Sequence, residues 1–90
     1  MSRLEIVHLR LAGPCPPALL QEVIRLVEQG DAAARVFRNA TVSGDFGVHL
    51  EITSQVESEA PSALGLRLAA ALRERGIVEH TVWIELKRSS

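Results

Sequence analysis

The sequence predicts a single α+β domain whose elements follow the order β-α-β-β-α-β. Apolar residues recur at helical spacing in two separate stretches, and they alternate with polar residues in the middle of the chain. Short segments rich in β-branched residues lie near both ends. Because 90 residues are enough for one domain and too few for two, we expect a single domain over residues 1–90.

The first two elements are a strand and a helix. Leu4 to Leu11 mixes β-branched residues with charged ones and is too short and two-sided for a helix, so we expect a strand there. The turn residues AGPCPP follow, and a proline suits the first helical position because its missing N–H needs no partner there. Apolar residues at helical spacing then predict a helix over residues 17–29, which Gly30 ends.

The middle of the chain predicts a β-hairpin. Apolar and polar residues alternate over residues 34–42 and again over residues 46–53. Ser43-Gly44-Asp45 between these runs supplies turn residues. We therefore expect two neighbouring antiparallel strands with a tight connection.

The last third of the chain predicts a second helix and a fourth strand. Ser58 and Ser62 are alternative N-caps of the helix, Pro61 suits its first turn, and Gly76 ends it. Residues 77–87 then alternate again. Right-handed crossovers favour a ferredoxin-like arrangement, in which two helices cover one face of a four-stranded antiparallel sheet of order 4-1-3-2.

One face of this sheet must meet the helices, and the other mixes apolar with charged residues. A short chain has a thin core, so a second copy would stabilise it. We expect a homodimer that packs through the open face with Trp83 near the contact, although scattered apolar residues also occur on monomer surfaces. The residues expected on the helix-facing side are Val7, Leu9, Leu11, Val36, Ala40, Val42, Phe46, Val48, Leu50, Ile52, Val78, Val82, Ile84 and Leu86.

The composition excludes several classes of partner. The net charge is −1, from 10 basic and 11 acidic residues, so no electrostatic field favours nucleic acid or an anionic membrane. Aromatic residues make up only 3% of the chain, too few for base-stacking platforms. The N-terminus lacks the unbroken apolar run of a signal peptide, and no stretch approaches the roughly 20 apolar residues of a membrane span. We expect a cytoplasmic protein, and no motif indicates a cofactor or a metal.

Two histidines at strand centres form the core of a candidate site. His8 and His49 fall on the open face of neighbouring antiparallel strands. If Val7 lies opposite Leu50, the two imidazoles are cross-strand neighbours with Glu51 in reach. They could then bind a metal, relay a proton or make dimerisation depend on pH, or they could simply be hydrogen-bonded at an interface. The candidate open-face polar cluster comprises His8, His49, Glu51 and Trp83.

Two further residues are interpreted as structural. His80 falls on the helix-facing side between Val78 and Val82, so we expect a hydrogen-bonded core histidine there. The lone cysteine, Cys15, cannot form an internal disulfide, and nothing near it in sequence indicates a nucleophile.

The C-terminal half resembles known proteins. His49-Leu50 together with residues 62–86, SALGLRLAAALRERGIVEHTVWIEL, resembles small bacterial ferredoxin-like proteins of unassigned function. It is also similar to the dimeric α+β barrel group, whose members pair two such sheets and include cofactor-free monooxygenases. That resemblance implies fold and dimerisation, and no catalytic motif of the group matches residue by residue. The Gly13-Pro14 loop resembles the ligand loop of ACT-type regulatory domains, which implies amino-acid binding.

Three classes of function stay open. An interaction module needs only the dimer, and a regulatory domain needs a cavity near Gly13 or between subunits. A small oxygenase-like or isomerase-like enzyme needs polar groups that converge in an apolar cavity. Fold alone does not decide between them. We favour an interaction or small-molecule-binding module over the enzyme.

Overall fold

A computed structural model describes residues 2–30, 33–53 and 60–89 of the chain. The strands form one antiparallel sheet in the order β2-β3-β1-β4, which confirms the predicted topology and the ferredoxin-like fold. Neither helix in these ranges is long and apolar enough to cross a membrane. The elements are β1 (Ser2–Arg10), α1 (Pro17–Glu28), β2 (Ala33–Arg38), β3 (Asp45–Thr53), α2 (Ala63–Arg73) and β4 (Ile77–Ile84).

The core lies between the two helices and one face of the sheet. Because side chains alternate along a strand, the odd-numbered residues of β1 and the even-numbered residues of β3 face the helices together. Burying one such apolar side chain stabilises the fold by about 1.5–3 kcal/mol. The buried apolar residues are Val7, Leu9, Leu19, Val23, Phe46, Val48, Leu50, Leu64, Leu68, Ala69 and Leu72.

The pairing between β1 and β3 differs from the predicted register by two residues. Val7 lies opposite Val48, and not opposite Leu50 as the predicted pairing of the two histidines assumed. The strand β1 spans Ser2–Arg10, so both of its ends lie earlier than predicted and its centre is Ile6 rather than His8. The strand centres do align, but the aligned pair is Ile6 and His49.

The strand β2 is shorter than predicted. The side-chain oxygen Oδ1 of Asn39 accepts hydrogen bonds from the backbone N–H groups of Thr41 and Val42 and from Thr41 Oγ1. This local turn takes the backbone away from the ladder. Ala40 and Val42 are therefore exposed, contrary to the prediction that they face the helices. Leu86 was also expected on that side, but it lies beyond the end of β4 and is 96% exposed.

A buried carboxylate joins β1, α2 and β4. Glu5 is fully buried and accepts hydrogen bonds from the Ser62 backbone N–H at 3.1 Å and from Ser62 Oγ at 2.6 Å. His80 Nε2 donates to its other oxygen at 2.5 Å, which confirms the predicted hydrogen-bonded core histidine. Ser62 also caps α2, because its Oγ accepts from the Gly65 N–H at 3.0 Å. The alternative cap, Ser58, lies outside the described residues.

Gly65 allows α2 to approach this carboxylate closely. A Cβ at this position would lie 1.8 Å from Glu5 Oε2, where no side chain fits. Glycine inside a helix costs about 0.5–1 kcal/mol relative to alanine. The glycine leaves room for the Glu5 side chain, which accepts hydrogen bonds from the Ser62 cap at the N-terminus of α2.

Candidate functional site

The sheet face that points away from the helices, here called the open face, carries side chains in four rows that cross the strands. Each row contains residues that lie opposite one another in the order β2, β3, β1, β4. The rows are Ala33, Glu51, Leu4 and Trp83; Arg35, His49, Ile6 and Thr81; Phe37, Gly47, His8 and Glu79; and, beyond the end of β2, Asp45, Arg10 and Ile77.

A hollow of about 420 Å³ lies over Gly47, and we call it the Gly47 hollow. Because glycine has no side chain, Phe37 on β2 and His8 on β1 flank an empty position in the third row. His49 and Trp83 also border the hollow. A Cβ on Gly47 would meet the His49 ring at 3.7 Å, an ordinary contact, so the backbone does not need glycine here for close approach. The missing side chain instead leaves room for a small molecule.

A carboxylate holds His8 at the edge of this hollow. His8 Nε2 donates a hydrogen bond to Asp45 Oδ1, and Asn39 Nδ2 donates to Asp45 Oδ2 at 3.1 Å. The Asp45 side chain is 8% exposed and that of His8 is 30% exposed, so the carboxylate is sheltered while the imidazole reaches solvent. With Nε2–H used by Asp45, the lone pair at Nδ1 has no hydrogen-bond donor among the described residues. A ligand donor can therefore bind there.

Two groups at the hollow have pKa values that differ from their ordinary values, the Asp45 carboxylate and the His49 imidazole. The hydrogen bond from His8 is the main cause that holds the pKa of Asp45 below its ordinary value, and the charge of Arg10 adds to the effect. Burial lowers the pKa of His49 below its ordinary value, and the positive charge of Arg35 lowers it further. At neutral pH, Asp45 is therefore ionised and His49 is uncharged.

Aromatic rings form the apolar side of the open face. The centroids of Phe37 and His49 lie 4.7 Å apart with the planes tilted by 52°, and the Arg35 guanidinium lies 5.5 Å from the Phe37 centroid. Trp83 donates from Nε1 to Thr81 Oγ1 at 2.9 Å, which fixes the indole against the sheet. Its ring is nevertheless 59% exposed.

Three of the four residues of the predicted cluster border one hollow. His8, His49 and Trp83 line the Gly47 hollow, while Glu51 lies on the same face outside it. Arg88 Nη2 lies 3.9 Å from Glu51 Oε1. The assignment of these four residues to a functional site stays a prediction.

The predicted juxtaposition of the two histidines is wrong in register. His8 lies opposite Gly47, and His49 lies opposite Ile6, so the imidazoles share a face without being paired. Glu51 is a further two residues along β3, opposite Leu4. Among the residues that the structure describes, no three His, Cys, Asp or Glu side chains converge to hold a metal ion.

Sequence reasoning missed Asp45, Asn39 and Gly47 as parts of the site. Asp45 and Gly47 precede His49 by four and two residues, so alternation alone puts all three on the open face. The alternating run could therefore have been extended by one residue before Phe46. Asp45 was instead assigned to the hairpin connection, because aspartate favours turns, and Asn39 to the alternating strand over residues 34–42.

A second cavity of about 510 Å³ lies between α1 and β2. Leu20, Ile24 and Val36 give it an apolar lining, and Pro14 and Cys15 border it beside the loop that resembles the ACT-type ligand loop. Burial raises the pKa of the Cys15 thiol, so the sulfur stays protonated and is a poor nucleophile. Arg38 and Ser43 also line the cavity, but its lining contains no imidazole or carboxylate.

No protein-family model, curated protein or solved structure matches this chain. The function is therefore inferred from the open face and its hollow.

Proposed function

We propose that this chain is a small homodimeric module of the cytoplasm that binds a small molecule in the Gly47 hollow. The observation that carries the proposal is the pairing of apolar walls, from Phe37 and Trp83, with an imidazole that Asp45 holds in place. Binding sites for small molecules are concave, mostly apolar and furnished with a few fixed polar groups. The resemblance to the dimeric α+β barrel group supports the homodimer.

The exposed apolar side chains of the open face support the homodimer. Phe37, Ile77 and Trp83 are 44%, 69% and 59% exposed, and all three lie on this face. Burying such a side chain against a partner would contribute about 1.5–3 kcal/mol. A second copy would thus supply the apolar cover that helices give the other face.

The chemistry of the hollow defines the class of ligand. Phe37, His49 and Trp83 border the hollow, and aromatic side chains favour stacked or edge-to-face contacts with other flat rings. His8 Nδ1 offers an acceptor, so the ligand should carry an O–H or N–H donor near one edge. We therefore propose a flat, largely apolar molecule with one such donor.

A thermal-shift screen tests the ligand site. The compounds are small phenols, indoles, heterocycles and amino acids, and a binder raises the melting temperature according to its affinity. Gly47→Leu fills the hollow and should abolish the shift, whereas Gly13→Leu is the matched control because a Cβ there meets nothing within 4 Å. A shift that persists in Gly47→Leu would place binding elsewhere, and the absence of any binder would contradict the proposal.

A second candidate function is a cofactor-free enzyme, and the His8–Asp45 pair favours it. A carboxylate that holds one ring nitrogen leaves the other free to accept a proton, as in many general bases. His8 Nδ1 would take a proton from an acidic C–H of the bound molecule and return it. The test is hydrogen–deuterium exchange of that C–H in D₂O for compounds found in the screen. Exchange that disappears in His8→Gln, while binding persists, supports the enzyme; equal exchange in both proteins excludes this role for His8.

A further inference from the structure

Two charged side chains stand at opposite edges of the open face. Arg35 lies on the edge strand β2, and Glu79 lies on the edge strand β4. Within the described residues neither has an ion-pair partner. Three strand spacings separate the edges, about 14 Å, which is too far for the two side chains to pair within one chain. The open face therefore has one basic edge and one acidic edge.

Two simple ways of facing two copies differ in whether they bring these edges together. The two-fold axis that relates two facing sheets lies between them, and an axis parallel to the strands has a different result from an axis perpendicular to them. A perpendicular axis places each strand over the same strand of the partner, so the two basic edges meet each other and the two acidic edges meet each other. A parallel axis reverses the strand order, so β2 lies over the partner's β4. Charge complementarity favours the parallel axis.

The same axis also matches large side chains with small ones. Strand β3 then lies over the partner's β1, and residues of the same row face each other. The partner's His8 faces Gly47, and the partner's Trp83 faces Ala33. Arg35 faces a position one row from the partner's Glu79, within reach of a long side chain in sheets that cross at about 30°.

We propose that two copies pack open face on open face about a two-fold axis parallel to the strands. Arg35 of each copy then pairs with the partner's Glu79, and each Gly47 hollow is closed by the partner's His8. This arrangement rests on the homodimer proposed above and adds its geometry. The ligand site is therefore composite, since each hollow is bordered by the imidazoles of both copies.

Charge reversal tests the geometry. Sedimentation equilibrium gives the dimer dissociation constant of the wild type, Arg35→Glu, Glu79→Arg and the double variant, and circular dichroism checks that each is folded. Each single reversal should raise the dissociation constant about tenfold or more, because like charges then meet at two symmetric places. The double variant should return to within about threefold of the wild type. Arg67→Glu, on the exposed side of α2, is the control and should change nothing.

The rescue is specific to the proposed axis. Because Arg35 and Glu79 cannot reach each other within one chain, restored association in the double variant has to come from contacts across the interface. A double variant that associates no better than the single reversals overturns the axis and leaves the homodimer standing. A wild type that sediments as a monomer at micromolar concentration overturns both.

Discussion

The chain holds two histidine–carboxylate pairs, one on each side of the sheet, and they differ in what surrounds them. The side chains of His80 and Glu5 are 7% and 1% exposed, and Ser62 fills the remaining hydrogen-bonding positions of the carboxylate. The side chains of His8 and Asp45 are 30% and 8% exposed. The first pair is closed off by the fold, whereas the second presents its imidazole to a hollow.

Position along β1 decides which of the two pairs is enclosed by the fold and which borders the Gly47 hollow. Glu5 and His8 lie on the same strand, three residues apart, so alternation sends them to opposite faces. Glu5 meets the capped start of α2, and all its partners belong to the protein. His8 meets only Asp45 and keeps Nδ1 without a donor in the described part of the chain.

The largest expected effect comes from removing each carboxylate in turn. Glu5→Ala leaves His80 and the Ser62 hydroxyl without their partner in the core, so it should lower the free energy of unfolding by about 3–5 kcal/mol. Asp45→Ala should cost clearly less, because solvent can hydrate His8 once its partner is gone. Equilibrium urea unfolding measures both. Equal losses of unfolding free energy in the two variants would mean that both pairs stabilise the fold to the same extent, which would contradict this prediction.

Two glycines sharpen the same contrast. Gly65→Ala should lower the free energy of unfolding by about 1–3 kcal/mol, since its Cβ would collide with the buried Glu5 carboxylate. Alanine ordinarily stabilises a helix relative to glycine by about 1 kcal/mol, so a loss here is diagnostic. Gly47→Ala should stay within about 0.5 kcal/mol of the wild type, because its Cβ makes only an ordinary contact. A neutral Gly65→Ala would show that the carboxylate moves aside freely.

A smaller effect concerns the pH dependence of the open face. Burial lowers the pKa of His49 in the folded chain below its ordinary value of 6.5. At pH values between the lowered pKa of the folded chain and 6.5, His49 binds more protons in the unfolded chain than in the folded chain. The free energy of unfolding therefore falls as the pH drops below about 6.5. His49→Gln should remove this part of the slope between pH 7.5 and 5.5. Urea unfolding at fixed protein concentration measures it, and an unchanged slope would assign the dependence to another group.

The fold was predictable because local periodicity determines most of it. The change from helical spacing to alternation and back predicted the six elements, and right-handed crossovers then gave the observed strand order. The register was not predictable in the same way. The strand β1 spans Ser2–Arg10 rather than Leu4 to Leu11, so both of its ends lie earlier than predicted, and nothing local distinguishes the two sets of bounds.

For the candidate site, the sequence predicts only which side of the sheet its residues share. Alternation placed His8, His49 and Trp83 together on the open side, and the structure has them around one hollow. The bond between His8 and Asp45 joins residues 37 positions apart and depends on the register, so no local pattern predicts it. Alternation with Val7 and Leu9 places Glu5 on the helix-facing side, but its partner His80 lies 75 residues away, so no local pattern predicts the pair.

We propose that the open face is the functional surface of this protein and that a second copy covers it. Sedimentation equilibrium at micromolar concentration tests this most directly, with Trp83→Glu beside the wild type. Leu66→Glu is the control, because Leu66 is also about half exposed, at 53% against 59%, but lies on α2. We predict about twice the 9.8 kDa chain mass for the wild type and for Leu66→Glu, and the single-chain mass for Trp83→Glu. A monomeric wild type, or a Trp83→Glu protein that remains a dimer, would contradict the account.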